Sequence, residues 1–175
     1  TVRDKRGNLI LTAIWSRPPR VVEVSLSCTA TSRTNLSAVS TSAPFPLTGT
    51  GGVENADYLL PTAQVQSTDS RIRHLAEKLI QGVQTQFDAV QRIVSWVVDH
   101  VSYVTPPVRY DALYALESGR GNCQNYSHLS AALLRSVGIP VRIVNGVTLD
   151  RPLDIRWAKG ILTFKMGQGR HSWIE

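Results

Sequence analysis

An α+β fold is predicted for this chain, because its helical and strand-like segments are grouped rather than alternating. Amphipathic helical stripes occupy residues 70–137, whereas short apolar runs separated by glycine turns follow them. The apolar content of 42% and the charged content of 18% over 175 residues are typical of an ordered globular protein. We therefore expect a core in which helices pack on one sheet, and not a βαβ repeat.

The first 50 residues are predicted to contain β structure. Residues 4–8 have the composition of a turn, and residues 9–15 that of a strand. Residues 22–31 alternate between apolar and polar side chains, which places Cys28 on the buried face of a strand as a small hydrophobic residue. Residues 43–55 are rich in proline, glycine and threonine, and this composition indicates a linker.

Three helices are predicted ahead of a central glycine loop. The first has Thr68 or Asp69 as its N-cap, and the second has Thr85. The third is short, begins after Asp111 and ends at Gly119. Residues 101–104, between the second and third helices, are predicted to be extended.

The glycine loop, residues 119–126, delivers Cys123 to the first turn of a fourth helix. One face of this helix is apolar, and Gly138 and Pro140 end it. Unpaired N–H groups and the positive end of the helix dipole favour a thiolate, the reactive form of cysteine. The helix end contributes only about 0.3–1 kcal/mol. A strong nucleophile therefore also needs a paired imidazole.

His171 has the most suitable setting among the four histidines. It lies on a predicted strand that follows a glycine turn. His74 lies among charged residues, and His100 lies near a helix C-terminus, where a cation is simply well placed. His128 is rotated by about 140° from Cys123 around the same helix, so it is expected to point away from the thiol.

The segments after the fourth helix are predicted to be mostly strands. Residues 139–147 have the pattern of a strand, and residues 149–157 that of a loop at the edge of a cleft. Residues 158–166 and 170–175 are predicted to form a hairpin around the glycine turn between them, and a different arrangement of these strands stays open as the alternative.

Four stretches of this sequence together resemble the transglutaminase-like superfamily. They are Gly121-x-Cys123-x-Asn125-Tyr126-Ser127, the run LLRSVGIPVR at 133–142, Gly146, and HSWIE at 171–175. The resemblance covers roughly residues 58–175 and is closest to bacterial members, which are often described as cysteine proteases.

The resemblance implies a transglutaminase-like, papain-like core with the nucleophile at a helix N-terminus packed on an antiparallel sheet. Cys123 would be that nucleophile and His171 its base. Related enzymes place an aromatic residue just upstream of the glycine loop, and here this would be Tyr103. Tyr103 is therefore a candidate substrate-binding residue. An equally good interpretation is that it is an ordinary tyrosine of a strand.

The resemblance also implies a domain order. Such proteins often place a β-sandwich before the catalytic domain, and two or three strands are too few for a complete one. We therefore expect residues 1–50 to be the remainder of a sandwich and residues 58–175 to be a catalytic core truncated at its C-terminus.

The resemblance also implies a third catalytic residue, Asp or Asn, on the strand after the histidine strand and so beyond Glu175. Glu175 itself would lie about 13 Å from His171 along an extended strand, and Asp150 and Asp154 belong to the predicted loop. The triad is therefore expected to be incomplete in this chain. Without that next strand, the sheet would have an unpaired edge. Such an edge favours association with another chain through strand pairing.

The predicted function is thiol-dependent acyl transfer on amide or peptide bonds of a protein or peptide substrate. Hydrolysis by a cysteine peptidase or amidase is favoured. Transamidation by a transglutaminase and a non-catalytic peptide-binding or scaffolding module are the alternatives. No cofactor or metal is expected, since no Cys/His pair outside the catalytic candidates has ligand spacing.

The net charge of +6 is spread thinly, without a basic run, which argues against a nucleic-acid partner. The sequence contains no apolar stretch long enough for a membrane span and no signal peptide. We therefore expect a cytoplasmic protein, although a signal peptide removed ahead of Thr1 would leave the same sequence.

Overall fold

The computed structural model describes residues 1–4, 7–24, 41–47, 53–148, 153–157, 160–164 and 169–175. The chain divides into two compact units, residues 1–38 and residues 39–175. The α-helices of the described residues are α1 (Ser70–Leu79), α2 (Gln86–His100), α3 (Ala112–Ser118) and α4 (Cys123–Ser136), preceded by a 3₁₀ helix (Val53–Leu59). The strands are β1 (Val2–Arg3), β2 (Leu9–Ile10), β3 (Ser102–Tyr103), β4 (Arg120–Gly121), β5 (Ile143–Thr148), β6 (Leu153–Trp157), β7 (Gly160–Phe164) and β8 (Gly169–Ile174).

The first unit contains a short antiparallel hairpin of β1 and β2. Its turn is held by Asp4, whose Oδ1 accepts a hydrogen bond from the Asn8 N–H at 2.9 Å. Gly7 supplies the left-handed conformation, with φ of 81°, that the turn needs. The contacts of Asp4, Gly7 and Asn8 therefore agree with the predicted turn, whose residues 5 and 6 lie outside the described ranges.

The strand predicted for residues 9–15 is wrong beyond Ile10. β1 offers only two residues for pairing, and Ile14 remains 87% exposed. Residues 22–24 also carry no strand. The rest of that predicted strand, including Cys28, lies outside the described residues, and the β-sandwich stays a prediction.

The helix caps are the best-predicted features of the second unit. The side chains of Asp69, Thr85 and Asp111 accept hydrogen bonds from backbone N–H groups at the starts of α1, α2 and α3. Such caps contribute about 0.5–2 kcal/mol each. Gly119 ends α3 with φ of 61°, as predicted.

The core of the second unit is built around α4. Leu129, Leu133 and Leu134 on this helix are fully buried together with Ile72 of α1 and Ile93 of α2. α3 and β8 also contact α4. A helix enclosed in this way has little freedom to shift, so its N-terminus is a fixed point of the structure.

The end of α4 is fixed by polar contacts as well. The Arg135 guanidinium donates to the Val141 carbonyl from Nε at 3.1 Å and to the Leu60 carbonyl from Nη1 at 2.6 Å. Gly138 follows the C-cap residue Val137 and adopts φ of 85°, as expected for a glycine that terminates a helix.

The strand pairing after α4 differs from the prediction. β8 pairs antiparallel with β5, with His171 opposite Gly146, and β6 pairs with β7. The predicted hairpin of residues 158–166 with 170–175 is therefore wrong, and the predicted loop at 149–157 contains β6. Ile143 and Ile174 lie opposite each other and both pack against the core, a burial that accounts for the pairing of β5 with β8.

The described part of the predicted linker between residues 43 and 47 belongs to the second unit. Phe45 is buried, and its N–H donates to the Gln84 carbonyl at 2.8 Å, while the Gln86 N–H donates to the Ala43 carbonyl at 2.9 Å. Residues 43–45 are therefore held against the start of α2. Within the described ranges, no helix has both the length and the hydrophobicity of a membrane span.

Candidate active site

Cys123 is the first residue of α4, directly after the N-cap residue Asn122. The Asn122 side chain accepts from the Gln124 N–H at 3.0 Å, and the Asn122 N–H donates to Asn125 Oδ1 at 3.1 Å. The second of these bonds forms a capping box together with the bond that the Asn122 side chain accepts from the backbone N–H of Asn125. Within the described part of the chain the Cys123 N–H makes no hydrogen bond, so a first-turn donor beside the thiol remains available.

Asn125 also ties α4 to the segment that precedes α3. Its side chain is fully buried, and its Nδ2 donates to the Arg109 carbonyl at 3.0 Å and to the Asp111 carbonyl at 3.3 Å. The carbonyl between them, that of Tyr110, accepts from His128 Nδ1 at 2.5 Å. Two side chains of α4 therefore hold three consecutive carbonyls.

This arrangement accounts for the role of His128. Because a carbonyl can only accept, Nδ1 of His128 must carry the proton in this contact. Burial lowers the pKa of His128, which favours the neutral ring. His128 therefore positions Tyr110, in agreement with the expectation that it points away from the thiol.

Gly121, two residues before Cys123, is required by close packing. A Cβ at this position would lie 2.3 Å from Asn125 Cβ and 2.6 Å from Asn125 Cγ. Gly121 also pairs with Tyr103 in the parallel β3–β4 pair. There is no space for a side chain between that strand and the capping box.

We expect Gly121→Ala to destabilise the protein by about 1–3 kcal/mol, the usual cost of overpacking. The displaced Asn125 side chain should also weaken the capping box, so Cys123 should react more slowly with alkylating reagents. Urea denaturation and thiol labelling would measure the two effects. Gly169→Ala is the matched control, since a Cβ there meets nothing within 4 Å; equal stability of the two variants would contradict this account.

His171 lies on β8 opposite Gly146 of β5 and is exposed. Its ring and the Trp173 ring are inclined by 28°, with centroids 6.2 Å apart. The indole also covers Gly146, where a Cβ would lie 2.7 Å from Trp173 Cη2. Trp173 and Gly146 therefore form the immediate packing environment of this part of β8.

Cys123 and His171 line one cleft of about 700 Å³. The residues that line it are Tyr110, Asn122, Cys123, Gln124, Asn145, Gly146, Val147, Arg170, His171 and Ser172. The Ser172 hydroxyl donates to Asn145 Oδ1 at 2.6 Å and so ties β8 to β5 within the cleft. No hydrogen bond joins the Cys123 thiol to the His171 ring among the described contacts. The structure thus brings the two predicted residues to the same cleft, with Cys123 half-buried and His171 exposed.

The carboxylates considered as third members of a triad have other partners or lie outside the described residues. Glu175 accepts from Arg142 Nε at 2.8 Å and from Trp173 Nε1 at 3.2 Å. Asp154 accepts from the Thr163 hydroxyl at 2.7 Å within the β6–β7 hairpin. Asp150 belongs to the part that the structure leaves undescribed.

Tyr103 lies beside the glycine loop but is not one of the residues that line the cleft. Its side chain is 63% exposed, and its ring centroid lies 6.4 Å from that of Tyr126. A role in substrate binding therefore stays a prediction.

The other two histidines have separate settings. His100 Nε2 lies 2.8 Å from the Leu116 carbonyl, and its ring stacks on Trp96 at 4.4 Å. His74 is exposed on α1. Within the described ranges no three or more His, Cys, Asp or Glu side chains are grouped so that they could hold a metal ion.

Sequence reasoning missed Tyr110, Asn122 and Asn125 as parts of the site. The spacing of three residues between Asn122 and Asn125 at a helix start is a signal of a capping box, although glutamate or glutamine is the usual partner. Tyr110 carried no such signal, because its place depends on contacts with a helix more than ten residues later in the chain.

Comparison with known proteins defines the class. The model of the transglutaminase-like superfamily core matches residues 73–175, which include α4, β5 and β8. The chain therefore belongs to the transglutaminase-like superfamily, and the predicted family is confirmed.

Two curated relatives are similar to this chain. The uncharacterized protein YebA of Bacillus subtilis is 30% identical over 130 residues, which cover 68% of this chain and 18% of YebA. The uncharacterized protein ML0607 of Mycobacterium leprae is 26% identical over 126 residues, which cover 70% of this chain and 42% of that protein. The chain thus spans less than half the length of either relative.

A solved structure supports the fold. The chain is similar to the crystal structure of a "Putative Cysteine Protease" from Cytophaga hutchinsonii, with a TM-score of 0.56 and 21% identity. The match covers 71% of this chain and 38% of that one. At this identity the likeness concerns the fold, a transglutaminase-like arrangement of helices and strands.

Proposed function

We propose that this chain carries out thiol-dependent acyl transfer on amide or peptide bonds, with Cys123 as nucleophile and His171 as base. The observation that carries this proposal is the placement of a helix-start thiol and a strand imidazole on one cleft. Membership of the transglutaminase-like superfamily supports the same chemistry. The substrate would be a protein or peptide.

The first half-reaction forms a thioester. His171 takes the proton from the Cys123 thiol, and the thiolate attacks the carbonyl carbon of the substrate. The carbonyl oxygen becomes an oxyanion, which the available Cys123 N–H can stabilise together with the positive end of the α4 dipole. The C–N bond then breaks, and the leaving amine takes the proton from His171.

The second half-reaction depends on the acceptor. Water, deprotonated by His171, attacks the thioester and releases a carboxylic acid and the Cys123 thiol. A primary amine in place of water would release a new amide, which is transamidation. We favour hydrolysis, by a cysteine peptidase or amidase, since the similar solved structure carries the name of a cysteine protease.

A non-catalytic peptide-binding or scaffolding module is the alternative from another class. It would use the same cleft without a covalent step. The presence of both Cys123 and His171 on that cleft favours the catalytic proposal. A cytoplasmic location and a third catalytic residue beyond Glu175 also stay proposals.

Incubation with glutamine-containing peptides, with and without a small primary amine, would separate these functions. New peptide termini identify a peptidase, conversion of glutamine to glutamate identifies an amidase, and an amine adduct identifies a transglutaminase. Each product should disappear with Cys123→Ser. Binding of unchanged peptide by both the natural chain and Cys123→Ser would instead support the non-catalytic module.

A further inference from the structure

The cleft has an uneven charge distribution. Arg170 lines it directly beside His171 on β8 and lies opposite Val147 of β5. Among the described residues that line the cleft, none is an aspartate or glutamate. Arg170 is therefore the arginine or lysine among the described residues that line this cleft.

The Arg170 charge is not neutralised within the described structure. Arg170 is exposed and makes neither a hydrogen bond nor an ion pair there. Two other arginines close to the site are paired: Arg109 Nε lies 2.9 Å from Asp111 Oδ2, and Arg142 pairs with Glu175. With respect to the described residues, the guanidinium of Arg170 is thus available to an external carboxylate, for which its planar fork is well suited.

The start of α4 adds a positive electrostatic potential, which has the same sign as the charge of Arg170. Its dipole places partial positive charge at Cys123, on the same cleft as Arg170. The remaining walls include Tyr110 and Val147, which are 42% and 77% exposed and contribute no charge. A cleft of this composition favours an anionic substrate over a cationic one.

We propose that Arg170 is a specificity-determining residue that selects acyl substrates carrying a carboxylate close to the scissile bond. This inference rests on the proposed function, because it names the substrate class of the same site. The carboxylate can come from an Asp or Glu side chain or from a free peptide C-terminus. Both present the same two oxygens to a guanidinium.

Matched peptides test this inference. Each pair differs only by Glu or Gln at one position near the scissile bond and has an amidated C-terminus, and a further pair compares a free with an amidated C-terminus. We expect kcat/KM to be about tenfold higher for the acidic peptide, either in the Glu/Gln pairs or in the pair with a free and an amidated C-terminus. This is the size of effect expected for a charge-assisted hydrogen bond. Arg170→Gln should bring this ratio close to one, and Arg170→Glu should invert it.

The control is Arg73→Gln, which removes an exposed arginine of α1 that does not line the cleft. It should leave the ratio unchanged. A preference for acidic peptides that survives in Arg170→Gln would overturn the inference, as would equal use of acidic and neutral peptides by the natural chain.

A second measurement needs no substrate and keeps the two proposals distinguishable. The labelling rates of Cys123 by anionic iodoacetate and neutral iodoacetamide are compared in the natural chain and in Arg170→Gln. We expect the variant to lower the iodoacetate to iodoacetamide ratio by about threefold, with a smaller effect at high salt. An unchanged ratio with rapid iodoacetamide labelling would refute the role of Arg170 and leave the thiol chemistry standing. Slow labelling of Cys123 by both reagents would count against the proposed function itself.

Discussion

Cys123→Ser is expected to reduce acyl transfer on the order of 10⁶-fold, the scale seen when the nucleophile of a catalytic unit is lost. The serine hydroxyl has nearly the same size as the thiol but is far less readily ionised, so it cannot replace the thiolate. Rates of peptide processing, measured with the fold monitored by circular dichroism, would show the loss. The variant should keep its stability within about 0.5 kcal/mol, because the capping box around it is formed by other residues.

Cys28→Ser is the matched control for this prediction. Cys28 belongs to the N-terminal segment of the sequence and is not part of the glycine loop. Its loss should leave turnover unchanged. Activity that survives in Cys123→Ser but disappears in Cys28→Ser would reverse the assignment of the nucleophile.

His171→Gln should lower the rate of thioester formation by about 10²- to 10⁴-fold, the usual contribution of a general base. Glutamine retains polar atoms on a side chain of similar length, but it can neither take up the thiol proton nor deliver it to the leaving amine. Burst-phase kinetics would separate this acylation step from later hydrolysis. His74→Gln, on the exposed surface of α1, is the matched control and should behave like the natural chain.

The two losses should not add. Residues that act as one catalytic unit are strongly non-additive, so Cys123→Ser combined with His171→Gln should be no slower than Cys123→Ser alone. A double variant that is slower by the product of both factors would show that His171 acts independently of the thiol.

The sequence predicted most of the helical part of the fold because its signals are local. Asp69, Thr85 and Asp111 are polar residues directly before apolar stripes, and each caps a helix through its own neighbours in the chain. Gly119 ends α3 for an equally local reason, the low cost of a left-handed conformation at glycine.

The strand pairing could not be predicted in the same way. The segments that form β5, β7 and β8 have strand-like composition, whereas β6 lies in a segment whose composition predicts a loop. A glycine turn between β7 and β8 favours pairing between these neighbours. The pairing of β8 with β5 instead buries Ile143 and Ile174 against the core around α4. This choice depends on packing between residues that are more than thirty positions apart.

The site was predictable to the extent that it rests on the helix start. The position of Cys123 follows from the glycine loop and the helical stripe, and it is the first residue of α4 as expected. The position of His171 on the same cleft depends on the register of β8 against β5, which places it opposite Gly146. Two features of the site could not be predicted from the sequence, because they depend on contacts in three dimensions. These are the place of Arg170 on the cleft and the hydrogen bond from His128 to the Tyr110 carbonyl.

The rate at which iodoacetamide alkylates Cys123 at pH 6 tests the central claim most directly. This rate is compared with the alkylation rate of Cys28 in the same chain. It is also compared between the natural chain and His171→Gln. It requires no knowledge of the substrate, and peptide mapping assigns the label to each cysteine. If the helix start and the His171 imidazolium stabilise a Cys123 thiolate, Cys123 reacts before Cys28, and His171→Gln slows this reaction. Equal labelling of the two cysteines, or a Cys123 rate that is unaffected by His171→Gln, would contradict the assignment of these residues as nucleophile and base.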